Sequence, residues 1–117
     1  MASRIGEIII DCIDPDRAAT FWCAALGYRV TERRGTEITI AGDSAGPAVI
    51  FDVATDAKLH KNRIHFDIRP VDTSQADEVA RLIGLGARRI DIGQGDEPWV
   101  VMEDPVGNEF CVMRGDT

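Results

Sequence analysis

The sequence has few cysteines, no long apolar run and no excess of positive charge, and each absence removes a class of protein. Its 117 residues include 3 Cys. Cys12, Cys23 and Cys111 are an odd, scattered set without a C-x-x-C pair. Neither a disulfide framework nor a cysteine-paired zinc module can be drawn from them. No stretch approaches the ~18 apolar residues of a membrane span, because Glu7 and Asp11 interrupt even the Ile-rich start. Met1-Ala2-Ser3-Arg4 leads into Ile5-Gly6-Glu7 without a signal-type apolar segment, so a reduced, cytoplasmic compartment is expected. Cations are outnumbered, 13 Lys+Arg against 20 Asp+Glu, for a formal net charge of −7. Phosphates repel such a surface, which argues against a general nucleic-acid or anionic-membrane binder. The partner expected is a small organic molecule.

What remains is an ordinary globular composition, 44 % hydrophobic and 28 % charged. A chain of this length suits one domain, here residues 1–117, large enough to bury a core without metals or cross-links. Ile5 to Cys12 is apolar and β-branched with acids at alternate positions, the pattern of a strand with one buried face. Asp14-Pro15 follows, an N-cap and a first-turn proline, and Ala18, Phe21, Trp22 and Ala25 then mark one helical face. Phe21 and Trp22 are expected in the core. Gly27 is placed to end the helix in the left-handed region. Tyr28–Arg33, Glu37–Ala41 and Ala48–Val53 read as three further strands, with turns at Gly35 and across Gly42–Pro47.

The same order then recurs. Arg63–Arg69 alternates as a strand, and Ser74 with Asp77 resembles a capping box before the helical face Ala76, Val79, Ala80 and Ile83. Gly86 is expected to end this helix as Gly27 ends the first. Arg88–Ile92, Pro98–Glu103 and Glu109–Met113 read as closing strands, the last two joined by a type I turn over Asp104-Pro105-Val106-Gly107. Aligning Leu26-Gly27 with Leu85-Gly86 brings Glu7 within one residue of His65, which indicates an internal duplication. The modules run from about 4 to 55 and from 62 to 115, joined by a connector at 56–61.

Three stretches carry a resemblance. Asp14-Pro15-Asp16-Arg17-Ala18-Ala19-Thr20-Phe21-Trp22 with Leu26-Gly27-Tyr28 is the first. Lys61-Asn62-Arg63-Ile64-His65-Phe66-Asp67 and Asp104-Pro105-Val106-Gly107-Asn108-Glu109-Phe110-Cys111-Val112 are the others. Together they resemble the vicinal oxygen chelate superfamily, and within it the small glyoxalase-like domain and bleomycin-resistance-protein-like proteins. The resemblance implies an α+β fold of two tandem βαβββ modules, each with a U-shaped mixed sheet, helices outside and a cavity within. It also implies a homodimer. Metal-using members take ligands from the first and last strands of the modules, which carries over here to Glu7, Asp52, His65 and Cys111. Cys111 stands where such relatives have Glu, with Glu109 two residues earlier.

Strand alternation lets these candidates share a cavity. Glu7 falls with Ile9, Asp52 with Ile50, His65 with Asp67, and Cys111 with Glu109 and Met113, while Val49, Phe51, Val53, Ile64, Phe66, Ile68, Phe110 and Val112 take the opposite faces. His65 and Glu7 are the candidate catalytic groups, and Asp52, Asp67, Trp99, Glu109 and Cys111 the candidate ligand contacts. Trp99 can stack on a planar ligand or pack in the core. Lys58, His60, Lys61 and Arg63 form one basic cluster, read as a solvated linker or an attractor of anions at the cavity mouth. Cys111 is expected to be an inert buried thiol. Two functional readings stay open. One is a small-molecule-binding protein of sequestering or resistance type with a metal-free cavity. The other is a lyase, isomerase or dioxygenase working through a divalent metal, zinc or another first-row ion, or through His65 and carboxylates as acid and base.

Overall fold

The computed structural model describes residues 1–43, 46–56 and 58–115. Ser44 and Ala45 of the expected Gly42–Pro47 turn, Ala57 of the expected connector, and the last two residues lie outside that set. The chain folds as two compact units, Met1–Lys58 and Leu59–Thr117.

The first unit runs β1 (Glu7–Cys12), α1 (Pro15–Leu26), β2 (Arg29–Arg34), β3 (Glu37–Ala41) and β4 (Ala48–Val53). Asp14 caps α1, its carboxylate accepting the Arg17 N–H at 3.2 Å, with Pro15 in the first turn where no donor is needed. Gly27 closes the helix at φ 70°, a conformation that an L side chain resists. Phe21 and Trp22 are both 2 % exposed and meet edge to face, ring centroids 5.0 Å apart. They anchor α1, which packs on β3 and β4, whose Ile38, Ile40, Val49 and Phe51 are also buried. The strand order is β1-β4-β3-β2, with β1 parallel to β4 and the rest antiparallel. A parallel pair needs a long crossover, which α1 and the β2–β3 hairpin supply.

The second unit repeats this plan as β5 (Phe66–Ile68), α2 (Gln75–Gly84), β6 (Arg88–Arg89), β7 (Val100–Glu103) and β8 (Glu109–Val112), in the order β5-β8-β7-β6. Ser74 caps α2 by accepting the Asp77 N–H at 3.0 Å. The helix stops one residue short of expectation. Leu85 is the C-cap in a right-handed conformation, and Gly86 at φ 114° turns the chain away after it. Val79 and Leu82 of α2 are buried, as are Met102, Phe110 and Val112. The fold is therefore the α+β pair of βαβββ modules.

Several strands are shorter than their patterns suggest. The expected Arg63–Arg69 strand contracts to Phe66–Ile68, because a strand extends only where a partner offers its ladder, and β5 is in register with Phe110–Val112 of β8. Ile64 consequently lies outside the sheet and is 84 % exposed, and Val53 at the end of β4 is 44 % exposed. Neither joins the core that alternation alone assigns them.

Candidate functional site

In the second unit β8 lies between β5 and β7. Asp67 and Cys111 are direct partners across the parallel β5–β8 ladder, so both side chains rise from one face. His65 precedes β5 by one residue and sits two before Asp67, on the same side. Its Nδ1 lies 3.1 Å from Asp67 Oδ1 and 3.4 Å from the Phe66 carbonyl oxygen. Both neighbours are acceptors, which assigns the ring proton to Nδ1 and leaves Nε2 as an acceptor in neutral imidazole.

Cys111 is 7 % exposed, and burial pushes its thiol pKa up. The Asp67 charge and a hydrogen bond to Asp67 push it the same way, against a smaller pull from Lys61. The group is thus a buried thiol beside the Asp67 carboxylate, not a thiolate nucleophile. One nitrogen, one oxygen and one sulfur of His65, Asp67 and Cys111 all lie within 4.8 Å of one another. That set fits a divalent cation, since imidazole, carboxylate and thiolate are all accepted zinc ligands.

These three groups line a cavity of about 290 Å³ together with Lys61, Ile92, Gln94, Trp99, Val101, Glu109 and Met113. The volume sits at the lower edge of the range for small-molecule sites. Local chemistry shapes its walls. Glu109 is 7 % exposed and accepts the Asn62 N–H at 2.7 Å, while the Asn62 amide donates to Asn108 Oδ1 at 2.9 Å. Those bonds tie the segment carrying Lys61 to the β7–β8 hairpin. Gln75 of α2 donates to the carbonyls of Pro98 and Val112, at 2.9 and 3.0 Å, and so fixes the backbone on which Trp99 enters β7. The loop between β6 and β7 is closed locally. Asp91 accepts the Gly93 N–H at 2.8 Å, and the Gln94 side-chain oxygen accepts the Ile92 N–H at 2.8 Å. Gly93 and Gly95 take φ of 85° and 74° there, values that favour glycine.

Of the residues singled out from sequence, His65, Asp67, Trp99, Glu109 and Cys111 surround this cavity. Lys61 comes from the basic cluster, and Met113 shares the parity of Cys111. Gln94 carried no signal, since its place depends on a loop with no period.

Glu7 and Asp52 belong to the first unit, on the adjacent strands β1 and β4. Glu7 is paired with Ala48, and Asp52 with Asp11, four strand positions away, or about 13 Å at the usual rise. Asp52 Oδ1 instead accepts the Thr36 hydroxyl at 2.5 Å and the Val53 N–H at 2.8 Å. The Thr36 bond first, then the Val53 bond, hold its pKa below the ordinary carboxylate value. A depressed folded-state pKa adds stability above the unfolded-state value, and that stability is lost as pH falls through the folded one. Thr36→Val should therefore raise the Asp52 pKa towards ordinary, as followed by carbon-detected NMR titration. An unmoved titration midpoint would show that the hydroxyl bond is not what depresses it.

Residues 7–113 match a family model described as the glyoxalase-like domain. A search of the curated proteins returns no match. Among solved structures, the chain is similar to a glyoxalase/bleomycin resistance protein/dioxygenase family enzyme from Burkholderia phytofirmans PsJN. The TM-score is 0.69 at 18 % identity, over 94 % of this chain and 97 % of that one. A protein from Agrobacterium tumefaciens matches at TM-score 0.73 and 14 % identity, over 99 % and 100 %. A variant of a fosfomycin resistance protein from Listeria monocytogenes, complexed with Mn(II) and 1S,2S-dihydroxypropylphosphonic acid, matches at TM-score 0.71 and 16 % identity, over 98 % and 92 %. At such identities the likeness speaks for the fold.

Proposed function

The chain belongs to the glyoxalase-like domain family of the vicinal oxygen chelate superfamily, and from that premise we propose that it binds a small organic molecule in the cavity of its second unit. The observation that carries this reading is the convergence of His65, Asp67 and Cys111 at a cavity whose other walls include Ile92, Trp99, Val101 and Met113. A few convergent polar groups against apolar walls are the usual make-up of a small-molecule site, the walls supplying burial and the polar groups orientation. Trp99 offers a flat apolar surface for a planar ligand. His65 Nε2 can accept a hydrogen bond from the ligand, and Lys61 can meet an anionic group. The fosfomycin resistance relative is complexed with a small polar phosphonate, which favours a sequestering or resistance-type role for the same fold here.

The His65–Asp67 pair supports a second reading, an enzyme of lyase, isomerase or dioxygenase type. With Asp67 behind Nδ1, the imidazole is held to take a proton at Nε2 from a carbon next to a carbonyl. A metal ion at His65, Asp67 and Cys111 would act as a Lewis acid towards a ligand oxygen.

Thermal stability and tryptophan fluorescence, measured against a panel of planar aromatic carboxylates, phenols and α-ketoacids, test the binding reading. A true ligand at 100 times its Kd should add about 2.7 kcal/mol. Trp22 is buried in the first unit, so the fluorescence response should vanish in Trp99→Ala. A panel that leaves the wild-type melting temperature unchanged, or a Trp99→Ala variant that responds like wild type, sinks the reading.

A further inference from the structure

We propose that the first unit carries a ligand site of its own, for a small zwitterion of the free α-amino-acid class, in the cleft between the first turn of α1 and the β2–β3 hairpin. It is independent of the second-unit cavity and of the function proposed for that cavity. The cleft has a volume of about 310 Å³, the scale of a site for one small molecule. Arg33 is the ladder partner of Ile38, so the two side chains stand together on the sheet face that α1 covers. Asp16 reaches the same place from the helix, its carboxylate accepting from Arg33 Nη1 at 2.8 Å. A salt bridge therefore joins the two walls, with buried Ile38 as an apolar floor and Pro15 and Val53 at the flanks.

That pair is the template for its ligand. The Arg33 and Asp16 side chains are 59 % and 75 % exposed, and an ion pair so well solvated contributes little, so opening it costs little. A ligand with a carboxylate alone would satisfy Arg33 and leave Asp16 without its partner. An ammonium alone would do the reverse. A zwitterion inserted between them restores both contacts, its carboxylate on the guanidinium fork and its ammonium on Asp16. Glu37, half-buried on the same wall, gives the ammonium a second carboxylate. Two acids against one cation also disfavour any ligand of net negative charge. Ile38, Val53 and Pro15 offer apolar contact to an aliphatic side chain, so a leucine-like amino acid suits the cleft better than a charged one.

The hairpin wall is set before a ligand arrives. The Thr36 hydroxyl donates to Asp52 Oδ1 at 2.5 Å, which ties the hairpin tip to β4, and Gly35 makes the turn at φ 60°. A wall already ordered lowers the entropic cost of binding.

The test is a titration of the isotope-labelled full chain with L-leucine, followed by amide chemical shifts. Isocaproate and isoamylamine are titrated beside it, since each keeps the apolar stem and only one of the two charges. L-Leucine should give saturating shifts around Asp16, Arg33 and Thr36, with a Kd of about 1 mM or tighter. Each single-charge analogue should bind about 10- to 100-fold more weakly, the worth of one charge-assisted hydrogen bond. Arg33→Gln and Asp16→Asn should each weaken L-leucine over the same range, with native circular dichroism, because both side chains are exposed. The analogue comparison uses the unaltered chain and decides the question even if a variant misfolds. Shifts that do not saturate, shifts confined to the second unit, an analogue that binds as well as L-leucine, or a natively folded variant that binds it unchanged overturns the proposal. Trp99→Ala should bind L-leucine as wild type does, so this site and the second-unit cavity stand or fall separately.

Discussion

Phe110→Ala should lower stability by about 3–5 kcal/mol, the range for deleting a large buried aromatic and leaving a cavity. Phe110 is 0 % exposed, in the middle of β8, with Phe66 and Met102 as its ladder partners on either side. Met102 and Val112 are likewise 0 % exposed, so the neighbours are already packed and have little freedom to collapse into the void. The consequence reaches the cavity. Phe110 and Cys111 are consecutive on one strand, so the burial of the first is what turns the second to the opposite face, beside Asp67. Urea unfolding followed by far-ultraviolet circular dichroism gives the loss directly. Phe110→Leu, which keeps most of the volume, should cost far less. A loss under about 1 kcal/mol for the alanine variant would mean that β8 is not the centre of this core.

Asp104→Ala should cost about 2–4 kcal/mol, because it strands two backbone donors at once. Asp104 is 3 % exposed, and its Oδ1 accepts the Val106 N–H at 3.0 Å and the Asn108 N–H at 2.9 Å. Two main-chain bonds complete the turn, Gly107 N–H to the Asp104 carbonyl at 3.0 Å and Asp104 N–H to the Asn108 carbonyl at 2.9 Å. Removing the carboxylate leaves the Val106 and Asn108 donors without their acceptor. The turn also sets the register Val101↔Cys111 and Glu103↔Glu109, and with it which side chains face the cavity. Asp104→Asn keeps an acceptor oxygen and should lose less than Asp104→Ala. Chemical denaturation of both variants checks the order. Equal losses would show that the side-chain volume, not the two hydrogen bonds, is what matters at this position.

Both turn and helix-start features were legible in sequence because their physics is local. An Asp or Ser three residues before a backbone donor caps a helix whatever lies around it, as Asp14 and Ser74 do. Asp104-Pro105-Val106-Gly107 likewise carries its own turn. Glu37–Ala41 and Ala48–Val53 were legible for another reason, since their alternation matches a sheet with one buried face. Patterns failed where the extent of a strand depends on its partner, as with β5, and where a site depends on a loop without a period, as with Gln94.

The duplicated βαβββ plan, its caps and turns, and the side of each strand on which Cys111, Asp67 and Glu109 lie are all written in local sequence pattern. Alternation and capping act over a few residues, so they survive translation into a one-dimensional pattern. Strand pairing alone brings Asp67 opposite Cys111 across the β5–β8 ladder and Asp52 opposite Asp11 across β1–β4. Register is set by which strands pair and where the ladder begins, and those are properties of residues far apart in the chain. The acids first marked by resemblance, Glu7 and Asp52, stand apart on their own sheet. The acid that organises the cluster is Asp67, held between a histidine and a thiol by a pairing no local pattern encodes.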